Sequence, residues 1–420
     1  MKKVMRIALP ALLTGILFVS CDKLPIHFPP GGGGGSNSFK EIVYVENNDT
    51  NQNAILAYVN NGDGQLQQLP GSPFYAGGTG FRYNVQQVHA NASDNEIIIS
   101  NDRKFLLAVN SGSNTIAVFN IHSDGTLSPV PGSPFPSGGV FPVSLAQWQQ
   151  YIYVANKNKF PLQNGYPTPN YIALRLETDG SLTSVPGARA DLPTNYSPTQ
   201  VLVSRNNPFL FGAEFVNNIS HYTINSNGSL GSLGTAYVPA ADVYGLCQHP
   251  VSDILYAGFP QEGKTAVYDI NPTTGALTYK TSVSSGNGAS TMRSNSAGDR
   301  LYVLDSYDNA VSVLNTSNAE APTVLSRLAL KNPGPPYYVH GAAWTSSECY
   351  SLGLSSNEKF LYVVSQNINF DNIPAATGNN NWFHILSVQS DGALTEPDSA
   401  IQLPVGSRIQ PGGVAVYKLN

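Results

Sequence analysis

Charged side chains are scarce in this sequence of 420 residues. They make up 12% of the chain, against about 25% in an average soluble protein, and the formal net charge is −5. Binding to nucleic acid needs clustered lysine and arginine, and coiled coils or helical repeats need long runs rich in charged residues and alanine. The composition therefore argues against a nucleic-acid partner and against a largely helical fold.

Cysteine is also rare, with three residues in the chain. A small disulfide-stabilised fold needs a larger set of paired cysteines, so that class is excluded. Cys247 and Cys349 each lie beside an apolar or aromatic residue, which predicts buried structural thiols. The sequence leaves their redox state open, because an oxidising compartment would permit a disulfide.

No apolar run reaches the length of about 20 residues that a membrane-spanning helix requires. Residues 7–19 form a shorter apolar run after a basic start, which is the pattern of a secretory signal. The run ends in Phe-Val-Ser-Cys at residues 18–21, which resembles the lipobox of bacterial lipoproteins. We therefore predict a signal peptide over residues 1–20 and lipid attachment at Cys21; the alternative is an ordinary secretory signal cleaved nearby.

Residues 21–39 are predicted to be a flexible tether, because prolines precede a run of glycines at residues 31–35. Together, the lipid and the tether would hold the rest of the chain at the bacterial cell envelope, facing the periplasm or the outside. The membrane is thus an expected partner through the lipid anchor. The choice between inner and outer membrane stays open.

Glycine, proline and tyrosine are abundant, with 39, 30 and 22 residues. Six of the glycines belong to a recurring turn in which Gly is followed, two positions later, by Leu. This Gly-x-Leu turn occurs at Gly64, Gly125, Gly180, Gly228, Gly275 and Gly392. The glycine supplies the positive φ of a tight turn, and the leucine starts the next buried strand.

An apolar strand recurs with the same period. Its copies lie at residues 42–45, 106–109, 151–154, 209–212, 254–257, 301–304 and 360–363. Four short strands per unit at this spacing predict an all-β, seven-bladed β-propeller over residues 40–420. Residues 413–419 form a last strand with no partner after it, so we predict that it completes the first blade and closes the ring.

Two insertions precede this repeated strand, at residues 81–100 in blade 2 and 337–355 in blade 7. Such loops often form the functional face of repeat proteins, and aromatic residues there can stack on a sugar or a protein. The ligand-binding candidates are His89, His340, Trp344 and Trp382. For the two histidines, the alternative is an ordinary polar loop. The tyrosines assigned to the same exposed surface are Tyr166, Tyr171, Tyr337 and Tyr338.

Motifs for metals and cofactors are missing from the sequence. The histidines are scattered without paired metal spacing, and no phosphate-binding loop, dinucleotide fingerprint or nucleophile elbow is present. The acidic turn at Asp305, Asp308 and Asn309 is interpreted as a solvated hairpin rather than a calcium loop. We therefore expect neither a metal nor a cofactor.

The turn pattern points to a family. In blades 1 and 2 it is followed by Leu-Pro-Gly-Ser-Pro-Phe at residues 69–74 and Val-Pro-Gly-Ser-Pro-Phe at 130–135. These segments resemble the bacterial lactonase family of seven-bladed propellers, whose founding activity is 6-phosphogluconolactonase. Tyr-Val-Ala-Asn at residues 153–156 resembles the YVTN repeats of surface propellers. The resemblance implies the same fold and raises lactone hydrolysis as an activity.

The family's suspected catalytic positions match this chain only in part. Where the family has His-Pro-His before blade 4, this chain has Ser-Pro-Thr at residues 197–199, and where it has Pro-Arg-His before blade 5, this chain has Val-Tyr-Gly at 243–245. An acidic residue is kept at Glu214, which is the candidate catalytic residue.

These departures favour a binding role over catalysis. The leading prediction is a monomeric, envelope-anchored binding or scaffold module for a protein or a glycan. The alternative is a hydrolase of a lactone or cyclic ester that uses Glu214. A sugar-phosphate substrate is disfavoured, because it would need cations that are missing from these positions.

Overall fold

Short antiparallel strands make up most of the described chain. The computed structural model describes residues 39–82, 93–157, 167–215, 218–339, 342–368 and 378–419, with backbone only for 337–339 and 342–344. The helical content of these ranges is a single 3-10 turn at Ser306–Asp308. No helix of the described residues is long and apolar enough to cross a membrane.

The strands form seven antiparallel blades arranged in a ring, which confirms the predicted seven-bladed β-propeller. The inner strands of blades 1 to 7 are Gly412–Lys418, Ile97–Ile99, Pro142–Trp148, Pro198–Val203, Leu246–Gln248, Ala289–Ser294 and Ser347–Leu354. The second strands are Glu41–Glu46, Phe105–Asn110, Tyr151–Asn156, Phe209–Glu214, Ile254–Phe259, Arg300–Asp305 and Phe360–Asn367. The seven repeated strands predicted from the sequence all lie within these second strands.

The outer half of each blade is built from hairpins that carry the turns. The third strands are Ala54–Asn60, Thr115–Ile121, Asn170–Leu176, Asn218–Thr223, Lys264–Ile270, Ala310–Asn315 and Trp382–Val388. The outer strands are Leu66–Gln68, Leu127–Pro129, Leu182–Asp191, Gly234–Ala236, Leu277–Ser284, Thr323–Ala329 and Leu394–Thr395. The short strands Phe74–Tyr75, Phe135–Pro136 and Ile401–Gln402 extend blades 1, 2 and 7, and a hairpin of Tyr337–Val339 with Ala342–Trp344 lies between blades 6 and 7.

The last strand closes the ring as predicted. Gly412–Lys418 pairs antiparallel with Glu41–Glu46, with Val416 opposite Val43. It also contacts the inner strands of blades 2 and 7. The two ends of the propeller are therefore joined within blade 1, and the edge of the first sheet is not left unpaired there.

The second strands are buried because each blade packs against the next on both faces. Their tyrosines link neighbouring blades: the Tyr44 hydroxyl donates to the Gly125 carbonyl at 2.7 Å, and the Tyr153 hydroxyl donates to the Gly228 carbonyl at 2.9 Å. Both glycines belong to Gly-x-Leu turns and have φ values of 84°. A side chain at Gly125 would also collide with Ile42, so the turn needs glycine for conformation and for space.

Candidate functional site

The polar residues gather at one face of the ring. Because adjacent strands of a blade run antiparallel, the ends of the second strands and the beginnings of the inner strands share this face. The residues that end the second strands are Glu46, Asn110, Asn156, Glu214, Phe259, Asp305 and Asn367. All are buried and all but Phe259 are polar, so carboxyl and amide groups concentrate there.

The segment around Asp94 crosses the central channel. Ser144 Oγ, on the inner strand of blade 3, donates to the Asp94 carbonyl oxygen at 2.6 Å, and the Asp94 amide donates to the Thr199 carbonyl of blade 4 at 3.3 Å. From blade 6, Arg293 donates to both carboxylate oxygens of Asp94, at 2.5 and 2.7 Å. This insertion of blade 2 therefore bridges inner strands that lie on different sides of the channel.

Glu214 ends the second strand of blade 4 and is completely buried. Its Oε1 accepts hydrogen bonds from the Tyr171 hydroxyl at 2.6 Å and the Ser220 hydroxyl at 3.0 Å. Its Oε2 has no hydrogen-bond partner among the described residues. Burial raises the pKa of this carboxyl to about 8, although the two hydroxyl donors and the nearby Lys157 act in the opposite direction.

Lys157 supplies a cationic group beside Glu214. It directly follows the second strand of blade 3 and is 1% exposed. Burial lowers the pKa of its ammonium to about 7, against the opposing influence of the Glu214 carboxylate. The Tyr222 hydroxyl, which also interacts with Glu214, has no hydrogen-bond partner among the described residues. The cluster thus contains an acceptor, a cation and a hydroxyl donor; we call Glu214, Lys157, Tyr171, Ser220 and Tyr222 the Glu214 cluster.

Thr199 and Tyr244, which stand where the lactonase family has histidine and arginine, have structural roles. The Thr199 hydroxyl donates to the Tyr244 carbonyl at 2.7 Å and so ties blade 4 to blade 5. The Tyr244 ring is buried and lies 5.6 Å from the Phe215 ring. Neither residue supplies a positive charge, so the chemistry expected of the family's histidine and arginine positions is missing here.

The ligand-binding candidates from the sequence can be compared with the structure only in part. Trp382 begins the third strand of blade 7, is partly buried, and has an indole N–H without a partner among the described residues. Trp344 lies in the hairpin between blades 6 and 7, but its side chain is outside the described part of the chain. His89, His340 and Cys21 lie outside the described residues altogether.

Two expectations about polar side chains were wrong. Tyr171, assigned to an exposed binding surface, is fully buried and bonded to Glu214. Asp305, expected in a solvated turn, is fully buried and accepts a bond from Arg327 Nε at 2.8 Å. Tyr171 binds a residue of the next blade and Asp305 binds side chains on the next two strands of its own blade, and the local turn pattern does not reveal these contacts.

The two remaining cysteines are free thiols. Cys247 and Cys349 are buried and form no disulfide, in line with the prediction of structural thiols. Burial raises the pKa of both thiols, which lowers their reactivity. The described residues contain no group of three or more His, Cys, Asp or Glu that could hold a metal ion.

A hydrogen-bonded serine, histidine and glutamate in blade 7 could not be found from the sequence. Ser365 Oγ lies 3.0 Å from His384 Nε2, and His384 Nδ1 lies 2.7 Å from Glu396 Oε1. The Ser365 hydroxyl also donates to Asn309 Oδ1 in blade 6 at 2.8 Å. Because Ser365 and His384 are fully buried, we assign this network to holding blade 7 against blade 6.

Comparison with known proteins agrees with the fold. The family model described as "Lactonase, 7-bladed beta-propeller" matches residues 37–163, which confirms the resemblance noted in the turn sequences. No curated protein sequence matches the chain significantly.

Solved structures match over almost the whole chain but at low identity. The periplasmic gluconolactonase of Pseudomonas aeruginosa is 16% identical, with a TM-score of 0.67, and the match covers 91% of this chain and 100% of that one. A candidate 6-phosphogluconolactonase of Bacteroides fragilis is 16% identical, with a TM-score of 0.61 and coverage of 90% and 98%. A hypothetical selenium-binding protein of Sulfolobus tokodaii is 12% identical, with a TM-score of 0.60 and coverage of 90% and 94%. At these identities the likeness concerns the fold.

Proposed function

We propose that this chain, a propeller with the turn pattern of the seven-bladed lactonases, is a hydrolase of an uncharged lactone with Glu214 as its general base. The observation that carries the proposal is the unpartnered Oε2 of Glu214 beside Lys157 and Tyr222. A buried carboxyl with an unpartnered oxygen, next to a cation and a free hydroxyl donor, is typical of catalytic groups. A binding or scaffold role has less support than the sequence suggested, because it gives this cluster no use.

The Glu214 cluster contains the groups that lactone hydrolysis needs. Glu214 Oε2 would take a proton from water as the water oxygen bonds to the lactone carbonyl carbon. The Tyr222 hydroxyl and the Lys157 ammonium would stabilise the negative charge that develops on the carbonyl oxygen. Cleavage of the ring C–O bond, with a proton passing to the departing oxygen, then gives the open hydroxy acid.

The charges of the site favour a substrate without phosphate. Phosphate recognition usually relies on arginine and lysine, and the residues at the compared family positions, Thr199 and Tyr244, are uncharged. Lys157 is the cation of the cluster, and burial already opposes its charged form. We therefore infer a neutral sugar lactone or a related cyclic ester as the substrate class.

Comparing two substrates tests this proposal. We expect the purified protein to hydrolyse glucono-1,5-lactone above the spontaneous rate, and to hydrolyse 6-phosphogluconolactone with at least a tenfold lower kcat/KM, because Thr199 and Tyr244, at the compared family positions, offer no positive charge to its phosphate. A pH-stat assay corrected for spontaneous hydrolysis measures both rates. Absence of turnover for both lactones would contradict the hydrolase, and preference for the phosphorylated one would contradict the substrate class.

We also propose that the protein acts at the bacterial envelope, attached through a lipid at Cys21. The basic start, the apolar residues 7–19 and the lipobox-like residues 18–21 support this location. The glycine-rich tether of residues 21–39 would let the propeller stand away from the membrane surface.

Replacing the lipidated cysteine tests the anchor. We expect Cys21→Ser to move the protein from the membrane fraction to the soluble fraction, because a signal peptide is too short to span the bilayer stably. Immunoblots of fractionated cells measure the distribution, with Cys247→Ser as the control that stays with the membrane. A Cys21→Ser protein that fractionates like the unchanged protein would contradict the lipid anchor.

A further inference from the structure

A polar pocket lies at the same face of the ring and is lined by residues of blades 1, 2, 3 and 7. Its enclosed space is about 20 Å³, which suits a group about the size of a water molecule or an ammonium head, and the pocket opens to solvent at its mouth. Its polar side is formed by Glu46 at the end of a blade 1 strand, Glu96 before the inner strand of blade 2, and Gln366 on a blade 7 strand. Its apolar wall is formed by Phe81, Val109, Phe141 and Val143. We call it the Glu46–Glu96 pocket; none of its lining residues belongs to the Glu214 cluster.

Glu96 carries a buried polar atom in this pocket that lacks a hydrogen-bond partner among the described residues. Glu46 uses Oε1 to accept a bond from Asn53 Nδ2 at 2.6 Å, and Glu96 uses Oε1 to accept a bond from the Ser93 hydroxyl at 2.7 Å. Glu96 Oε2 has no partner, and the Glu46 and Gln366 side chains line the same pocket. Glu46, Glu96 and Gln366 are 2%, 8% and 3% exposed, respectively. Buried polar groups are normally satisfied, so the unpartnered Glu96 Oε2 points to a ligand.

Burial and neighbouring negative charges disfavour the ionised form of both carboxyls in this pocket. Burial and the charge of Glu96 raise the pKa of Glu46 well above its usual range, and burial and Asp94 raise the pKa of Glu96 to about 7. The cation that acts on Glu96 is Arg293, and both of its terminal nitrogens already bind Asp94. A positively charged ligand would therefore be stabilised here.

We infer that the Glu46–Glu96 pocket binds the primary ammonium group of a small organic cation. An ammonium has three N–H donors, which suits the acceptors that line this pocket: the unpartnered Glu96 Oε2, the Glu46 carboxylate and the Gln366 amide oxygen. The Phe81 and Phe141 rings, whose centroids lie 4.4 Å apart, suit the apolar part of the cation and add cation–π attraction. A bare metal ion fits less well, because the described residues provide no cluster of three potential metal-binding side chains of His, Cys, Asp or Glu.

Gly412 borders the space between the Glu96 and Gln366 side chains. It lies opposite Glu46 in blade 1. A Cβ atom at this position would lie 3.4 Å from Glu96 Oε1 and 3.9 Å from Gln366 Nε2. Both side chains thus approach the same point from blades 2 and 7, and a methyl group would enter that space at ordinary contact distance.

Calorimetry with a matched pair of probes tests the inference. We expect n-butylammonium to bind the purified protein saturably and at least tenfold more tightly than 1-butanol, which has a similar shape but no charge. Glu96→Gln should weaken n-butylammonium binding at least tenfold, whereas Glu214→Gln should leave it unchanged. Equal affinity for the two probes, or no binding of either, would overturn the inference.

A second variant keeps the test decisive if Glu96→Gln fails to fold. Gly412→Ala fits without a clash and should weaken n-butylammonium binding while the melting temperature stays close to that of the unchanged protein. Unchanged binding in a folded Gly412→Ala protein would contradict the location of the site. We expect both variants to keep lactone hydrolysis. A result that contradicts cation binding here would therefore leave the proposed hydrolase function intact, and the reverse also holds.

Discussion

Asp94 is one of the few charged residues of this chain, and it forms a buried ion pair with Arg293. Its side chain is 1% exposed and is held by two nitrogens of Arg293 from the opposite part of the ring. Gln200 Nε2 also donates to it, at 3.3 Å. A charge pair inside a protein contributes little net stability when both partners are present, but loss of one partner leaves the other uncompensated.

Removing the Asp94 carboxylate should therefore destabilise the propeller. We expect Asp94→Ala to lower the free energy of unfolding by about 3 kcal/mol, because Arg293 would remain partly buried without its partner. Urea unfolding followed by circular dichroism measures the change. Glu320→Ala, which removes an exposed partner of Lys280, is the control and should cost less than about 1 kcal/mol. Equal effects of the two substitutions would show that Asp94 does not join the blades.

At the scale of single elements, the C-terminal strand has the largest structural role. It forms the inner strand of blade 1, and its pairing with Glu41–Glu46 brings together residues from the two ends of the described propeller. Its neighbours include the inner strands of blades 2 and 7. Ring closure therefore depends on one strand that arrives last in the chain.

Deleting residues 412–420 should abolish cooperative unfolding. Without this strand, one edge of blade 1 is unpaired and the blade 2 and blade 7 inner strands lose a neighbour. Thermal denaturation followed by circular dichroism measures the cooperativity, with Lys418→Ala as a control that keeps the strand. A truncated protein that melts in the same sharp transition as the full chain would contradict closure by this strand.

The repeated elements could be predicted from the sequence, whereas the positions of most site residues could not. Gly-x-Leu turns and apolar strands are local patterns, so the blades and the closing strand followed from them. Lys157 follows the second strand of blade 3 and Tyr171 lies in its third strand, and no local pattern indicates that their side chains approach Glu214. Asp94 lies in an insertion, and its contacts with blades 3, 4 and 6 depend on the closed ring. Glu214 could be predicted from the sequence because it lies at the end of a repeated strand, where the lactonase family has an acidic residue.

For the whole molecule, the ring separates two chemically different sites on one face. The Glu214 cluster lies between blades 3 and 4 and combines a carboxyl, a lysine and tyrosine hydroxyls. The Glu46–Glu96 pocket is lined by residues of blades 1, 2, 3 and 7 and combines two carboxyls with an aromatic wall. The seven-fold repeat explains this arrangement, because Glu46 and Glu214 end equivalent strands in different blades.

The pH dependence of lactone hydrolysis tests the role of Glu214 most directly. A general base acts in its ionised form, and burial raises the pKa of Glu214 to about 8. We therefore predict that kcat/KM for glucono-1,5-lactone, corrected for spontaneous hydrolysis, rises with pH as Glu214 ionises and falls again at higher pH, because the Lys157 ammonium, whose pKa burial lowers to about 7, loses its proton. Glu214→Gln should lower kcat/KM by about 10²–10⁴-fold and remove its rise with pH. Glu46→Gln should leave both kcat/KM and its rise with pH unchanged. A Glu214→Gln protein with the same rate and the same pH profile as the unchanged protein would contradict the account.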